Sequence, residues 1–120
     1  MKKIILITSL LISFVTLGQK KQKIDTVYIR TSALCGDCKE RIESALNFQK
    51  GVKYAELNLE TKIATCVYKP SKVSLSELRL ALVRVGYDAD DMKADPEAVK
   101  LLPKCCQPGG IKLYTFNQIN

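Results

Sequence analysis

The hydrophobic pattern of this chain switches its period back and forth between Ile24 and Ala94, and that switching leaves few folds open. Ile24 to Thr31 alternates and is rich in β-branched residues, as in a half-buried strand. Asp37-Cys38-Lys39-Glu40 has the form of a capping box, with Asp37 as N-cap and Glu40 at the third helical position. Cys38, Ile42, Ala45 and Leu46 then share one helical face, so a helix is expected to about Phe48. Gly51 suits the turn that follows. Val52 to Leu59 alternates again, with Ala55, Leu57 and Leu59 facing one way and Tyr54, Glu56 and Asn58 the other. Glu60-Thr61-Lys62 turns the chain into a strand from Ile63 to Lys69, ended by Pro70, so the pair reads as a hairpin. Ser74-x-x-Glu77 is a second capping box. It opens a helix whose apolar face is Leu75, Leu78, Ala81, Leu82 and Val85, stopped by Gly86. Tyr87 to about Lys93 is expected as a short, acidic last strand.

The order β-α-β-β-α-β over residues 24–94 gives an α+β class: a ferredoxin-like sandwich with two helices on one face of a four-stranded antiparallel sheet. Residues 95–120 form an extension. Asp95-Pro96 supplies an N-cap and a proline at the first position of a short helix to Leu102. Pro103-Lys104-Cys105-Cys106, a Gly-rich turn and a tail from Ile111 to Asn120 follow. Ile111 to Phe116 alternates weakly and either pairs with a sheet edge, covers Ile63 and Val67, or stays disordered. At the other end, Met1-Lys2-Lys3, the uncharged apolar run Ile4 to Leu17, and Thr16-Leu17-Gly18 have the pattern of a signal peptide over residues 1–18. The run is short for a membrane span, although an uncleaved anchor is the alternative. The expected location is the periplasm or outside the cell, with no membrane association of the mature form.

Removal of that segment leaves 102 of the 120 residues, and takes the formal charge from +7 to +5 through the loss of Lys2 and Lys3. A basic balance favours acidic partners. The basic residues are scattered and no aromatic-studded basic strand appears, so nucleic acid is not an expected partner.

There are five cysteines and no histidine, so any metal site is a thiolate site, and thiolates select soft ions. The cysteines fall as Cys35-x-x-Cys38, a lone Cys66 and a vicinal Cys105-Cys106. Cys38 belongs to the first turn of a helix, where unpaired N–H groups and the helix dipole favour a thiolate. Two sulfurs three residues apart can converge on one ion. Two suffice for Cu(I), whereas Zn(II) wants two more ligands.

With its frame, the motif resembles the heavy-metal-associated domain family of copper chaperones, the N-terminal modules of metal-pumping ATPases, and the periplasmic mercury-binding protein. The resemblance covers about Thr26 to Asp91. It is carried by Cys35-x-x-Cys38 followed by Ile42-Glu43-x-Ala45-Leu46, then Gly51-Val52, Asn58-Leu59, Ala64, Tyr68-x-Pro70 and Gly86-Tyr87-Asp88-Ala89. It implies the same ferredoxin-like fold, Cys35 and Cys38 as metal ligands, and Tyr87 beside the site, either shielding the ion or simply filling the core. It implies Cu(I) as cargo, with Zn(II) or Hg(II) as alternatives. The partner it implies is a metal-transporting ATPase or another CxxC protein with an acidic docking face, towards which Lys39 and Arg41 would steer. A monomer is expected, with a metal-bridged dimer as the alternative. Two departures stand out. Ser32-Ala33-Leu34 replaces the family's usual Gly-Met-x before the first cysteine, and Asp37 sets a negative charge inside the motif.

Cys66 shares its strand face with Ala64 and Tyr68 and reads as a small core residue. Cys105 and Cys106 lie outside the family's module. The helix before them is long enough to bring them back to the CxxC end if it runs along the sheet, which would make a site of three or four sulfurs. A vicinal or intermolecular disulfide, or an ordinary turn, fits the spacing equally. The expected function is a soft-metal carrier rather than an enzyme, since no general base or catalytic carboxylate pair is evident. A thiol-disulfide redox protein using the same CxxC is the competing reading, weakened by the absence of Trp and by the strand order. A structural module with bridged cysteine pairs is the third.

Overall fold

The computed structural model describes Gly18 and residues 21–108. The expected signal segment, apart from Gly18, and the tail from Ile111 lie outside the described residues. In order, the elements are β1 (Asp25–Arg30), α1 (Gly36–Asn47), β2 (Val52–Asn58), β3 (Ile63–Tyr68), α2 (Leu75–Arg84) and α3 (Pro96–Lys100), then a 3-10 turn at Lys104–Cys106. The sheet has the order β1-β3-β2, antiparallel throughout, with Ile29 opposite Ala64 and Val27 opposite Cys66. Among the described residues, no helix is long and apolar enough to cross a membrane.

One sheet face is the floor of the core. Ile29, Ala55, Leu57, Ala64, Cys66 and Tyr68 point from it into a single cluster with Cys38, Ile42 and Leu46 of α1 and Leu78 and Leu82 of α2. The alternation in β2 and β3 follows the pattern expected from the sequence, except that Leu59 lies past the strand end and is exposed. Val85, at the C-cap of α2, is likewise exposed rather than part of the apolar face. Tyr28 and Tyr54 stand on the open face.

The caps sort the two capping-box signatures. Ser74 accepts from the Glu77 N–H while the Glu77 carboxylate accepts from the Ser74 N–H, so the box at α2 forms. The one expected at Asp37 does not. Cys35 is the N-cap of α1, in extended backbone, and its carbonyl takes the first helical hydrogen bond from the Lys39 N–H at 3.1 Å. Asp37 therefore lies within the first turn, where an acidic side chain still complements the helix dipole.

The expected fourth strand is the main departure. Thr31 and Ala89 make a single antiparallel bridge beside β1, but Ala89 also bridges Met92, and the chain reverses through Asp90 at φ 54°. The acidic run explains the reversal. The Asp90 carboxylate accepts from the Arg30 N–H at 2.9 Å and pairs with Arg79, while Asp88 accepts from the Ala94 N–H at 2.8 Å. These side chains take backbone donors that a longer ladder would otherwise use. Asp95 caps α3 with Pro96 at its start, as its sequence implies, and α3 ends at Lys100 rather than Leu102.

Candidate metal centre

The loop between β1 and α1 is held from below. Buried Thr31 donates its hydroxyl to the Lys62 carbonyl at 2.9 Å, and the same oxygen accepts from the Ala33 N–H at 3.3 Å. Ser32 accepts from the Asp88 N–H at 2.9 Å, tying the loop to the segment after α2. Ala33 is buried beneath the motif, in the place where the family pattern has a larger Met. The backbone then leaves Cys35 half-buried at the rim and Cys38 fully buried on the core face of α1.

The sulfurs of Cys35 and Cys38 are 3.4 Å apart. The extension returns to this end of the sheet and brings two more. Cys35 Sγ lies 3.1 Å from Cys105 Sγ and 3.4 Å from Cys106 Sγ, and the last two are 3.9 Å apart. Cys35, Cys105 and Cys106 all lie within 4.8 Å of one another. All five cysteines are free thiols. The sequence left Cys105 and Cys106 open between convergence on the CxxC, a vicinal or intermolecular disulfide and an ordinary turn; in the structure both cysteine pairs lie at one pole. Because the chain reverses at Asp90 instead of running out a full strand, α3 has less distance to recover.

The electrostatics single out Cys35. Burial works against its thiolate, but the contacts with Cys105, the Cys38 N–H and the Cys38 and Cys106 thiols outweigh it and bring the Cys35 pKa down to about 7. Contact with Cys35, followed by burial, pushes the Cys105 thiol up, and Asp37 Oδ2, which accepts from Cys105 at 3.5 Å, acts in the same direction. Burial and the neighbouring Cys38 push Cys106 well above the ordinary thiol range. Cys35 therefore ionises ahead of Cys105 and Cys106, and its sulfur touches those of Cys38, Cys105 and Cys106.

Tyr87 is completely buried beside the sulfurs. Burial first, then Cys38 and Cys106, raise its hydroxyl far above the ordinary tyrosine range, yet that oxygen has no hydrogen-bond partner. The cysteines lie close enough to oppose its ionisation without standing in bonding geometry. The Lys39 ammonium, partly exposed, is bound to Glu43 and donates to the Leu57 carbonyl at 2.8 Å. Arg41 remains exposed on the outer side of α1. Cys66 is in the core, away from the cluster, and burial pushes its thiol up to about 11.

Sequence reasoning missed the seat of the extension. Gly86, at φ 98°, carries the Leu102 side chain and the backbone of Ala98 so closely that a Cβ would meet them at 3.0 and 3.2 Å. The only available signal was its position after the last apolar residue of a helix.

A small α+β domain that gathers reduced cysteines at one pole of its sheet, without histidine, is built for soft metal ions. The comparisons agree. The heavy-metal-associated domain family matches residues 31–88. A copper chaperone CopZ of Staphylococcus aureus is 46% identical over 54 residues, 45% of this chain and 79% of that one. A copper-exporting P-type ATPase of Staphylococcus saprophyticus is 42% identical over 59 residues, 49% of this chain and 7% of the ATPase. The solved structure of a CopZ metallochaperone superposes with a TM-score of 0.53 at 36% identity, covering 54% of this chain and 98% of that one. This chain belongs to the heavy-metal-associated domain family, and its cysteine cluster makes it a copper-chaperone-like metal-binding domain. The family match ends at residue 88, so Cys105 and Cys106 lie beyond it.

Proposed function

We propose that this protein is an exported carrier or sequestering protein for Cu(I), which it binds through the Cys35 and Cys38 thiolates and passes on by ligand exchange. The observation that carries the reading is a pair of sulfurs 3.4 Å apart at a strand-to-helix junction, in a frame shared with copper chaperones. A soft, low-coordinate ion is satisfied by two such ligands. The neighbouring sulfurs bring the Cys35 thiol down to about 7, so Cys35 offers a thiolate to an incoming ion at neutral pH. Zn(II) and Hg(II) are the competing cargoes.

The Met1 to Gly18 pattern supports export. The sequence shared with a copper-exporting ATPase supports a docking partner of the same domain type. Transfer would go through an intermediate in which donor and acceptor thiolates share the ion. An incoming thiolate binds as an outgoing one leaves, so the ion is never bare. Arg41 and the net positive charge favour an acidic docking face on that partner. The protein itself carries out no catalysis in this reading.

The test is competition for Cu(I) between the reduced protein and a chromophoric chelator, with Cys35→Ser/Cys38→Ser alongside. Tight 1:1 binding that the double variant loses supports the reading. Weak binding, together with reduction of a disulfide substrate through the same two cysteines, would instead establish the redox protein.

A further inference from the structure

The C-terminal arm places the Cys105 and Cys106 sulfurs 3.1 and 3.4 Å from the Cys35 sulfur. We propose that Cys105 and Cys106 are metal ligands that complete one site with Cys35 and Cys38, so that a single chain encloses a soft d10 ion in three or four thiolates. The inference rests on the reading of Cys35 and Cys38 as a metal site and extends it to residues beyond the family match.

Three observations carry it. The first is spacing. A metal–sulfur distance of about 2.3 Å sets the sulfurs of a tetrahedral site about 3.8 Å apart, and those of a trigonal site about 4.0 Å. The sulfurs of Cys35, Cys105 and Cys106 are separated by 3.1, 3.4 and 3.9 Å, so an ion enters this trio by spreading them about 1 Å or less. Cys38, 3.4 Å from Cys35 but outside the trio, joins as the fourth ligand only by moving towards it. The second is anchorage. Leu102 and Cys106 are buried in the same core as the sheet. The Asp95 N–H donates to the Val83 carbonyl at 3.1 Å, and the Gln107 amide donates to the Leu102 carbonyl at 2.8 Å. A free tail would pay ordering entropy to reach the ion, whereas this one is already folded onto Gly86. The third is the orphaned Tyr87 hydroxyl, a fully buried donor facing the sulfurs. A buried donor without an acceptor is costly, and a thiolate held by an ion supplies one.

The consequence is a change of role. A two-sulfur carrier leaves its ion open to a partner's thiolate. Here the arm covers it, so transfer begins when an incoming thiolate displaces the Cys105 or Cys106 thiolate, which then takes up a proton as the arm lifts. More thiolates also favour Zn(II), which wants four ligands. The site therefore retains Zn(II) and releases Cu(I) slowly.

The experiment is anaerobic titration of the reduced protein with Zn(II) and, separately, Cu(I) against chelators, with Co(II) as a spectroscopic counter of thiolates. Three variants accompany it: Cys105→Ser/Cys106→Ser, Cys35→Ser/Cys38→Ser, and Leu102→Asp, which lifts the arm while keeping every sulfur. The expected result is a Co(II) spectrum of three or four thiolates in the parent. In Cys105→Ser/Cys106→Ser the Zn(II) affinity falls by at least about a thousandfold, because half of the sulfurs sharing the binding energy are gone. Leu102→Asp falls in the same direction. Cu(I) still binds the Cys105→Ser/Cys106→Ser variant, but leaves it faster for a competing thiol than it leaves the parent. Two results would overturn the proposal alone: unchanged Zn(II) and Cu(I) binding without the C-terminal pair, or a Co(II) spectrum of two thiolates. Failure of the parent to hold either metal would remove the reading of Cys35 and Cys38 as well.

Discussion

Tyr87→Phe is the substitution in which stability and metal binding should move in opposite directions. The ring is wholly buried and fills the core beneath the sulfurs, and phenylalanine keeps all of that packing. What it removes is a hydroxyl that has lost water and gained no hydrogen bond. An unsatisfied buried polar group costs about 1–3 kcal/mol. Polarisable sulfur nearby recovers part of it, so the metal-free variant should gain about 1 kcal/mol. For a domain of this size, 1 kcal/mol is a rise in Tm of about 4–8 °C. With metal bound, the sign reverses. The hydroxyl then donates to a thiolate, a bond worth about 1.5–3 kcal/mol, and its loss weakens affinity by roughly ten- to a hundredfold. Thermal unfolding of the reduced apo-protein followed by chelator competition reads both halves. A metal-free Tyr87→Phe less stable than the parent would refute the reasoning, since the hydroxyl would then have a partner in the resting fold.

Glu43 accepts from Lys39 and from the Leu57 N–H at 2.9 Å; although burial opposes its charge, those two donors hold its carboxyl below the usual range. Its contribution is therefore present above the unfolded carboxyl pKa of about 4.3 and lost as pH falls through the lower folded value. Glu43→Gln should cost about 1 kcal/mol at pH 7, given the partial exposure of the pair, and denaturation curves of parent and variant should converge towards pH 3. Ser74→Ala removes the formed capping box and should cost about 1 kcal/mol in urea denaturation. Asp37→Ala, by contrast, removes no cap and should leave stability within about 0.5 kcal/mol of the parent. Cys66→Ala should lower stability by about 1–2 kcal/mol through the small void it leaves, with metal stoichiometry unchanged. An altered stoichiometry would bring Cys66 into the site.

Much of the fold was legible because periodicity reports burial directly. The inward residues Ala55 and Leu57, and the trio Ala64, Cys66 and Tyr68, were readable from alternation alone, and the Ser74 and Asp95 caps from their side chains. The misses share a cause: tertiary partners compete for groups that local rules assign elsewhere. Asp37 looks like a cap, but the chain enters α1 two residues earlier and Asp37 faces Cys105 instead. The run from Tyr87 looks like a strand, but its aspartates prefer the N–H groups of Arg30 and Ala94, which turns the chain back. At the candidate site, the 3.4 Å approach of the Cys35 and Cys38 sulfurs was readable from their spacing. The approach of Cys105 and Cys106 stayed one alternative beside a disulfide or a turn, because it depends on the early reversal at Asp90 and on the room that Gly86 leaves for Leu102.

X-ray absorption of the Cu(I)-loaded protein, with Cys35→Ser/Cys38→Ser as the control, tests the central claim most directly. The account predicts a copper shell made only of sulfur in the parent, and no copper retained by the control through the same purification. A shell containing nitrogen or oxygen, or a parent spectrum reproduced by the control, would contradict it.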